Sequence, residues 1–335
     1  MRITSFTIYN QLQQSLAKAM SDYSVTNNRL ATGKKILAPS DDVNGMMRAM
    51  SYRVSINDSD QYKRNVDGAT TNLSLTDTTL TSISDIIAKV KALTTTSMSG
   101  TNDASLRSSL SQQAAQWRDS LVGLANTRIT DRFLFSGFRS DQQPYDPVTF
   151  DYQGDNGAMS VPIDHGATIQ INVTGNDTFS YTPVAAYVKQ ISGGLNVHYT
   201  PGAGTTTNVE IRDAADTTVL DTFNFSNVMQ MTDILGTAIG TNDTARMEAL
   251  VDPLSRVQEQ VAVVQSDVGA RMSRLQDQSS RLTLNTNAQK NFLSATEDAD
   301  MNETIMQLQM ADTTLQALRA ASSKIISQSL FDFLK

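Results

Sequence analysis

The chain has 335 residues, 39% of them hydrophobic and only 6% aromatic, a lean supply for a thick globular core and a better one for long thin helices. A formal charge of -7 without any basic stripe argues against a nucleic-acid binder, whose phosphate contacts need clustered Lys and Arg. The absence of cysteine excludes disulfides, thiolate metal sites and thiol nucleophiles, and no apolar run is long enough to predict a membrane span.

From the N-terminus, Tyr9, Leu12, Leu16, Ala19, Tyr23, Thr26 and Leu30 recur at alternating steps of three and four, which predicts one apolar seam on a helix. That helix is expected to stop at Thr32-Gly33, a glycine cap, and Pro39 then holds the chain extended until Ser40 or Asp41 caps the next helix. The second helix is expected to be very long, with Val66, Ala69, Leu73, Thr76, Leu80, Ile83, Ile87 and Val90 keeping the rhythm until Ser99-Gly100. A third, from near Asp103, carries Leu106, Leu110, Trp117, Leu121 and Leu124.

Residues 140–232 change texture. Val161–Ile163, Thr168–Val173 and Asn208–Arg212 read as strands, with Asp155-Asn156-Gly157, Gly175-Asn176 and Gly202–Gly204 as turns. Helical spacing returns from about Asn242 through Leu250, Leu254, Val257, Val261, Val264, Val268, Met272, Leu275 and Leu282. It ends in a second terminal seam of Met301, Thr304, Leu308, Ala311, Leu315, Leu318, Ser322 and Ile325, followed by Leu330, Phe331, Phe333 and Leu334.

The expected class is therefore mainly α with a β-rich insertion, a long helical rod whose termini lie side by side and antiparallel. Its parts are an N-terminal assembly helix (1–40) pairing with a C-terminal one (291–335), two helical halves (41–139 and 233–290) and a β-rich, outward-facing insertion (140–232). Chain ends seldom bury enough surface to offset their ordering entropy, so apolar seams at both ends ask for a partner. Even when paired they leave a second flank bare, Ile3, Phe6 and Met20 on one helix and Ile305, Met306 and Ile326 on the other. The ends are read as assembly elements, at most loosely paired in the free subunit, with Tyr9, Leu12, Leu16, Tyr23, Leu30, Leu308, Leu315, Leu318, Ile325, Leu330, Phe331 and Phe333 as the interface.

Catalytic readings fail for want of partners. His165 and His198 stand alone in the insertion, whereas a zinc site needs three or four ligands. Asp151, Asp155 and Asn156 lack the closing Glu of a calcium loop and read better as a turn. Ser15-Leu-Ala-Lys18 matches an S-x-x-K motif without its companion elements, and Asp41-Asp42 read as helix caps before paired catalytic carboxylates. No cofactor and no enzymatic activity are expected.

Several segments resemble the flagellin superfamily. They are Ala31-Thr32-Gly33-Lys34-Lys35-Ile36 leading to Pro39-Ser40-Asp41-Asp42, then Leu124-Ala125-Asn126-Thr127 and Arg132-Phe133-Leu134-Phe135-Ser136-Gly137, Pro144-Tyr145, and Ser327-Gln328-Ser329-Leu330-Phe331. The resemblance covers roughly the first 140 and last 90 residues. It implies an axial component, exported unfolded through the flagellum's own channel, which would account for polar residues standing where a Sec-type signal would be apolar. It also implies an extracellular place in the flagellum, association with further copies of itself, and stacking between a hook-associated protein and flagellin. A cytosolic export chaperone on the seam from Leu308 to Leu334 is implied as well. A filament subunit and a cytosolic coiled-coil scaffold are the competing readings.

Overall fold

The computed structural model describes residues 2–99 and 103–333, the side chains of residues 2–6, 8 and 325–333 excepted. In chain order these form α1 (Arg2–Thr32), α2 (Val43–Ser97), α3 (Ala104–Ala125), β1 (Arg128–Ile129), β2 (Arg132–Phe133), β3 (Ser160–Asp164), β4 (Ala167–Gln170), α4 (Gly175–Phe179), β5 (Tyr187–Gln190), β6 (Asn196–Pro201), β7 (Thr207–Arg212), β8 (Val219–Phe225), α5 (Val228–Thr241), α6 (Thr244–Glu297) and α7 (Met301–Phe333). The chain is thus mainly helical with a β-rich segment between its helices, the class its hydrophobic spacing predicts. It divides into two compact units, Met1–Gln61 with Leu282–Lys335, and Tyr62–Arg281.

In the Tyr62–Arg281 unit, Leu73, Thr76, Leu80, Ile83, Ile87 and Val90 are all buried on α2, as are Leu254, Val257, Val261, Val268 and Leu275 on α6. Steps of three and four place each set on one stripe of its helix. Lys91 Nζ donates to Gln258 Oε1 at 2.8 Å and Gln265 Nε2 to Thr81 Oγ1 at 2.8 Å, so one helix descends as the other advances. Threonines enter this apolar stripe without penalty because Thr76, Thr79 and Thr94 donate their hydroxyls to the carbonyls of Asn72, Leu75 and Val90, one turn back. Helix α5 runs against α3, where Ser111 Oγ donates to Gly236 O at 2.7 Å and Arg118 pairs with Asp233.

A short β1–β2 hairpin already interrupts the stretch 41–139 expected to be helical, and the insertion holds the β3–β4 hairpin and an antiparallel sheet of order β5-β6-β7-β8, with Tyr199 opposite Val209 and Val209 opposite Phe223. Alternation along the strands buries Val197, Tyr199, Val209 and Ile211 on one face. That face meets α6 at an irregularity the sequence imposes. Pro253 sits inside α6 and has no N–H, so the carbonyl of Ala249, four residues back, loses its helical donor. The fully buried Tyr199 hydroxyl supplies one, donating to Ala249 O at 2.6 Å. Tyr187 stacks on Tyr199 with ring centroids 4.6 Å apart and donates to Asp252 Oδ2 at 2.8 Å.

Three expectations need correction. The cap of α2 is Asp42, not Ser40 or Asp41: its Oδ1 accepts Gly45 N at 2.9 Å, while Asp41 turns back to accept Leu37 N and Ala38 N. Those two donors hold the Asp41 carboxyl below its ordinary value. Helix resumes at Val228 rather than near Asn242, because Asn227 Oδ1 accepts Met229 N and Gln230 N and starts α5. Asp155, expected in a hairpin turn, instead accepts Phe138 N at 2.7 Å and Gly157 N at 2.8 Å, anchoring two loop segments; these bonds lower its pKa.

Candidate assembly interface

The unit containing both chain ends is built on the pair α1–α7. Gly33 follows α1 in the left-handed region (φ 70), and Lys34 bridges Asp298 in antiparallel sense, so the two helices run back from a common end. Ala19, Thr26, Thr304 and Leu315 are buried on this seam. Leu12, Leu16, Tyr23, Leu30, Leu308 and Leu318 are half-buried, and Tyr9 is exposed. The side chains of Ile325, Leu330, Phe331 and Phe333 lie outside the described residues. Ser15, Lys18 and Asp22 face Met310, Thr314 and Leu318 across a shallow groove, which gives Ser15 and Lys18 a place on this surface.

The pair consumes only part of the apolar surface of its helices. Met20, Ile305 and Met306 stay exposed, three residues of the flank the spacing marks as bare after pairing, and Met301 and Met310 join them. Sequence reasoning missed a further stripe in this unit. Val43, Met47, Met50 and Val54 on α2 are each more than half exposed, while Gly45, Ala49, Ile56 and Ser59 on the same helix are buried. The signal was legible, since i, i+4, i+7, i+11 is the spacing of a helical face. It was masked because Ala, Gly and Ser, small enough for close packing, form the buried side.

Below the pair lies a polar clasp, also missed. Glu297, 3% exposed, is the last residue of α6, where the helix dipole disfavours a carboxylate. Lys34 and Arg53 both pair with it, the latter at 2.5 Å, and compensate the buried charge. Backbone bonds close the same point: Lys35 N donates to Glu297 O at 2.8 Å and Ala299 N to Gly33 O at 2.9 Å. Asp300 Oδ1 then accepts Asn302 N and starts α7. The clasp brings the first loop and the α6–α7 junction together although they are remote in sequence.

His198 Nε2 lies 2.6 Å from Asp216 Oδ1, and His165 occupies the β3–β4 turn. Trp117 is half-buried on α3. Among the described residues no three His, Cys, Asp or Glu side chains are grouped to hold a metal, and no helix is long and apolar enough to cross a membrane.

Comparison with known proteins places this geometry. Residues 3–140 match the bacterial flagellin N-terminal helical region. Flagellar hook-associated protein 3 of Salmonella typhimurium is 26% identical over 181 residues, which span 54% of this chain and 57% of that relative. The protein of the same name from Escherichia coli is 23% identical over 342 residues, covering 100% of each. A crystal structure of flagellar hook associated protein-3 from Legionella pneumophila superposes with a TM-score of 0.59 at 13% identity, over 73% of this chain and 98% of that one, a likeness of fold.

Proposed function

We propose that this flagellin-like chain is a structural, non-enzymatic subunit of the bacterial flagellum that joins the hook to the filament, packing its paired terminal helices coaxially with those of neighbouring copies. Two relatives named flagellar hook-associated protein 3 support the assignment, one of them alignable end to end. The observation that carries the mechanism is the α1–α7 pair, which buries Ala19, Thr26, Thr304 and Leu315 while Met20, Ile305, Met306 and Met310 remain exposed on it. An apolar flank of that kind marks a surface made to be covered.

Charge supports the same reading. Met1–Gln61 and Leu282–Lys335 together hold as many acidic as basic residues, so the formal -7 of the chain resides in Tyr62–Arg281. Copies can pack through a neutral unit without mutual repulsion, while the charged unit stays solvated. In this proposal residues 1–40 and 291–335 assemble and residues 140–232 face outward. The neighbours are a hook-associated protein on one side and flagellin on the other. The subunit is exported through the flagellar channel, with a cytosolic chaperone covering the apolar end of α7 beforehand.

Removal of about thirty residues from each end tests this, because those residues lie outside the Tyr62–Arg281 unit. The truncated chain should keep the unfolding transition reported by Trp117, fail to join hooks, and leave flagellin free in the medium. Normal filaments in that strain would refute the proposal. The match of residues 3–140 to flagellin favours one alternative, a filament subunit, which purified chain growing into long filaments unaided would support.

A further inference from the structure

Among the described residues the methionines range from buried to exposed, with Met46, Met98, Met159 and Met272 half-buried between the extremes. Met229, Met231 and Met247, in the Tyr62–Arg281 unit, are fully buried. In the unit of the chain ends, Met47 (61% exposed) and Met50 (58%) stand one helical turn apart on α2, and Met306 (55%) and Met310 (65%) one turn apart on α7. Each pair lies among other exposed apolar side chains: Val43 and Val54 flank the first, and Ile305 adjoins the second. A buried thioether is a space-filler protected from reagents, whereas an exposed one is adaptable contact surface and an open nucleophile.

We infer that Met47, Met50, Met306 and Met310 are modification sites for peroxides, and that oxidation of Met306 and Met310, on the helix proposed to assemble, to methionine sulfoxide reversibly disables the face on which the chain joins its neighbours. In each step a sulfur lone pair takes one peroxide oxygen. The S–O bond forms, the O–O bond breaks, and the remaining oxygen leaves as water with both protons of hydrogen peroxide. The thioether is oxidised by two electrons and the peroxide reduced by two. The product carries a strong hydrogen-bond acceptor where an apolar contact was made, and desolvating it without a donor opposes docking. A thiol-dependent sulfoxide reductase returns the thioether. The consequence for joining rests on the proposed function; the location of the oxidation does not.

The test treats purified full-length chain with dilute hydrogen peroxide, maps sulfoxide by peptide mass spectrometry, and measures cosedimentation with flagellar hooks before and after sulfoxide reductase. Sulfoxide at the four exposed sites should exceed that at Met229, Met231 and Met247 about tenfold or more, following accessibility. Cosedimentation should fall by a similar factor and return after reduction. A variant with Met20, Met47, Met50, Met301, Met306 and Met310 all replaced by Leu should keep joining after the same treatment. Equal oxidation of the exposed and the buried methionines would overturn the inference, as would a leucine variant that loses joining to the same degree. Untreated chain that never cosediments would count against the junction reading instead, and the sulfoxide map would then decide the modification site by itself.

Discussion

The pairing of Tyr199 with the α6 proline makes a sharp energetic claim. Pro253 deprives the Ala249 carbonyl of its helical donor, and the Tyr199 hydroxyl replaces it at 2.6 Å in a fully buried setting. Tyr199→Phe keeps the ring and its stack on Tyr187 but strands the carbonyl, which should cost about 1–3 kcal/mol. Pro253→Ala restores an N–H four residues on, so in that background the carbonyl is satisfied within the helix and Tyr199→Phe should cost only about 0.5–1 kcal/mol. The coupling energy is then about 1–2 kcal/mol, well above the roughly 0.5 kcal/mol within which independent sites add. Urea unfolding followed by fluorescence of Trp117, the sole tryptophan, reads the stability of the Tyr62–Arg281 unit for the four proteins of the cycle. Additive effects would refute the compensation and leave the tyrosine as packing alone.

Three further outcomes follow from particular contacts. Glu297→Ala removes the shared carboxylate and leaves Lys34 and Arg53 facing each other over a buried gap; with both cations half-exposed the loss should be about 1–3 kcal/mol, seen as faster hydrogen exchange of Lys35 N and Ala299 N. Leu315→Asp puts a charge in the buried seam, so α1 and α7 should separate and joining fail, while the Trp117 transition stays within about 0.5 kcal/mol of the parent because the change lies in the other unit; a large shift there would count against this division. The hydrogen bond from Arg246, with its nearby charge, holds the Asp221 carboxyl below its usual value. A depressed folded-state pKa gives stability that is present above the unfolded value near 3.9 and is lost as pH falls through the lower folded one. Asp221→Asn should therefore flatten the acid limb of stability below about pH 4, and an unchanged limb in urea titrations would rule out this contribution.

The long helices were legible because burial on α2 and α6 is confined to one stripe, and a stripe repeats at three and four whatever its partner is. Helix α5 was harder to see. Thr232, Gly236, Thr237, Gly240 and Thr241 weaken its intrinsic preference, and packing on α3 decides the matter, with Gly236 facing Ala114. Strand β6 carries a readable alternation in Val197 and Tyr199, but it is short and lies between Gly193-Gly194 and Pro201, residues that weaken a strand signal. At the candidate interface the seam could be read from spacing. The clasp could not, since Glu297 and Arg53 meet across 244 residues and only folding makes them neighbours.

That clasp has a mechanical meaning. Two covalent segments, one ending α1 and one beginning α7, connect the terminal helix pair to the remainder of the chain, and the Lys35–Glu297 and Gly33–Ala299 bonds rivet them side by side. Tension or torque applied to the helix pair is shared between two polypeptide cables held in register. Neither cable can slacken while its twin takes the strain.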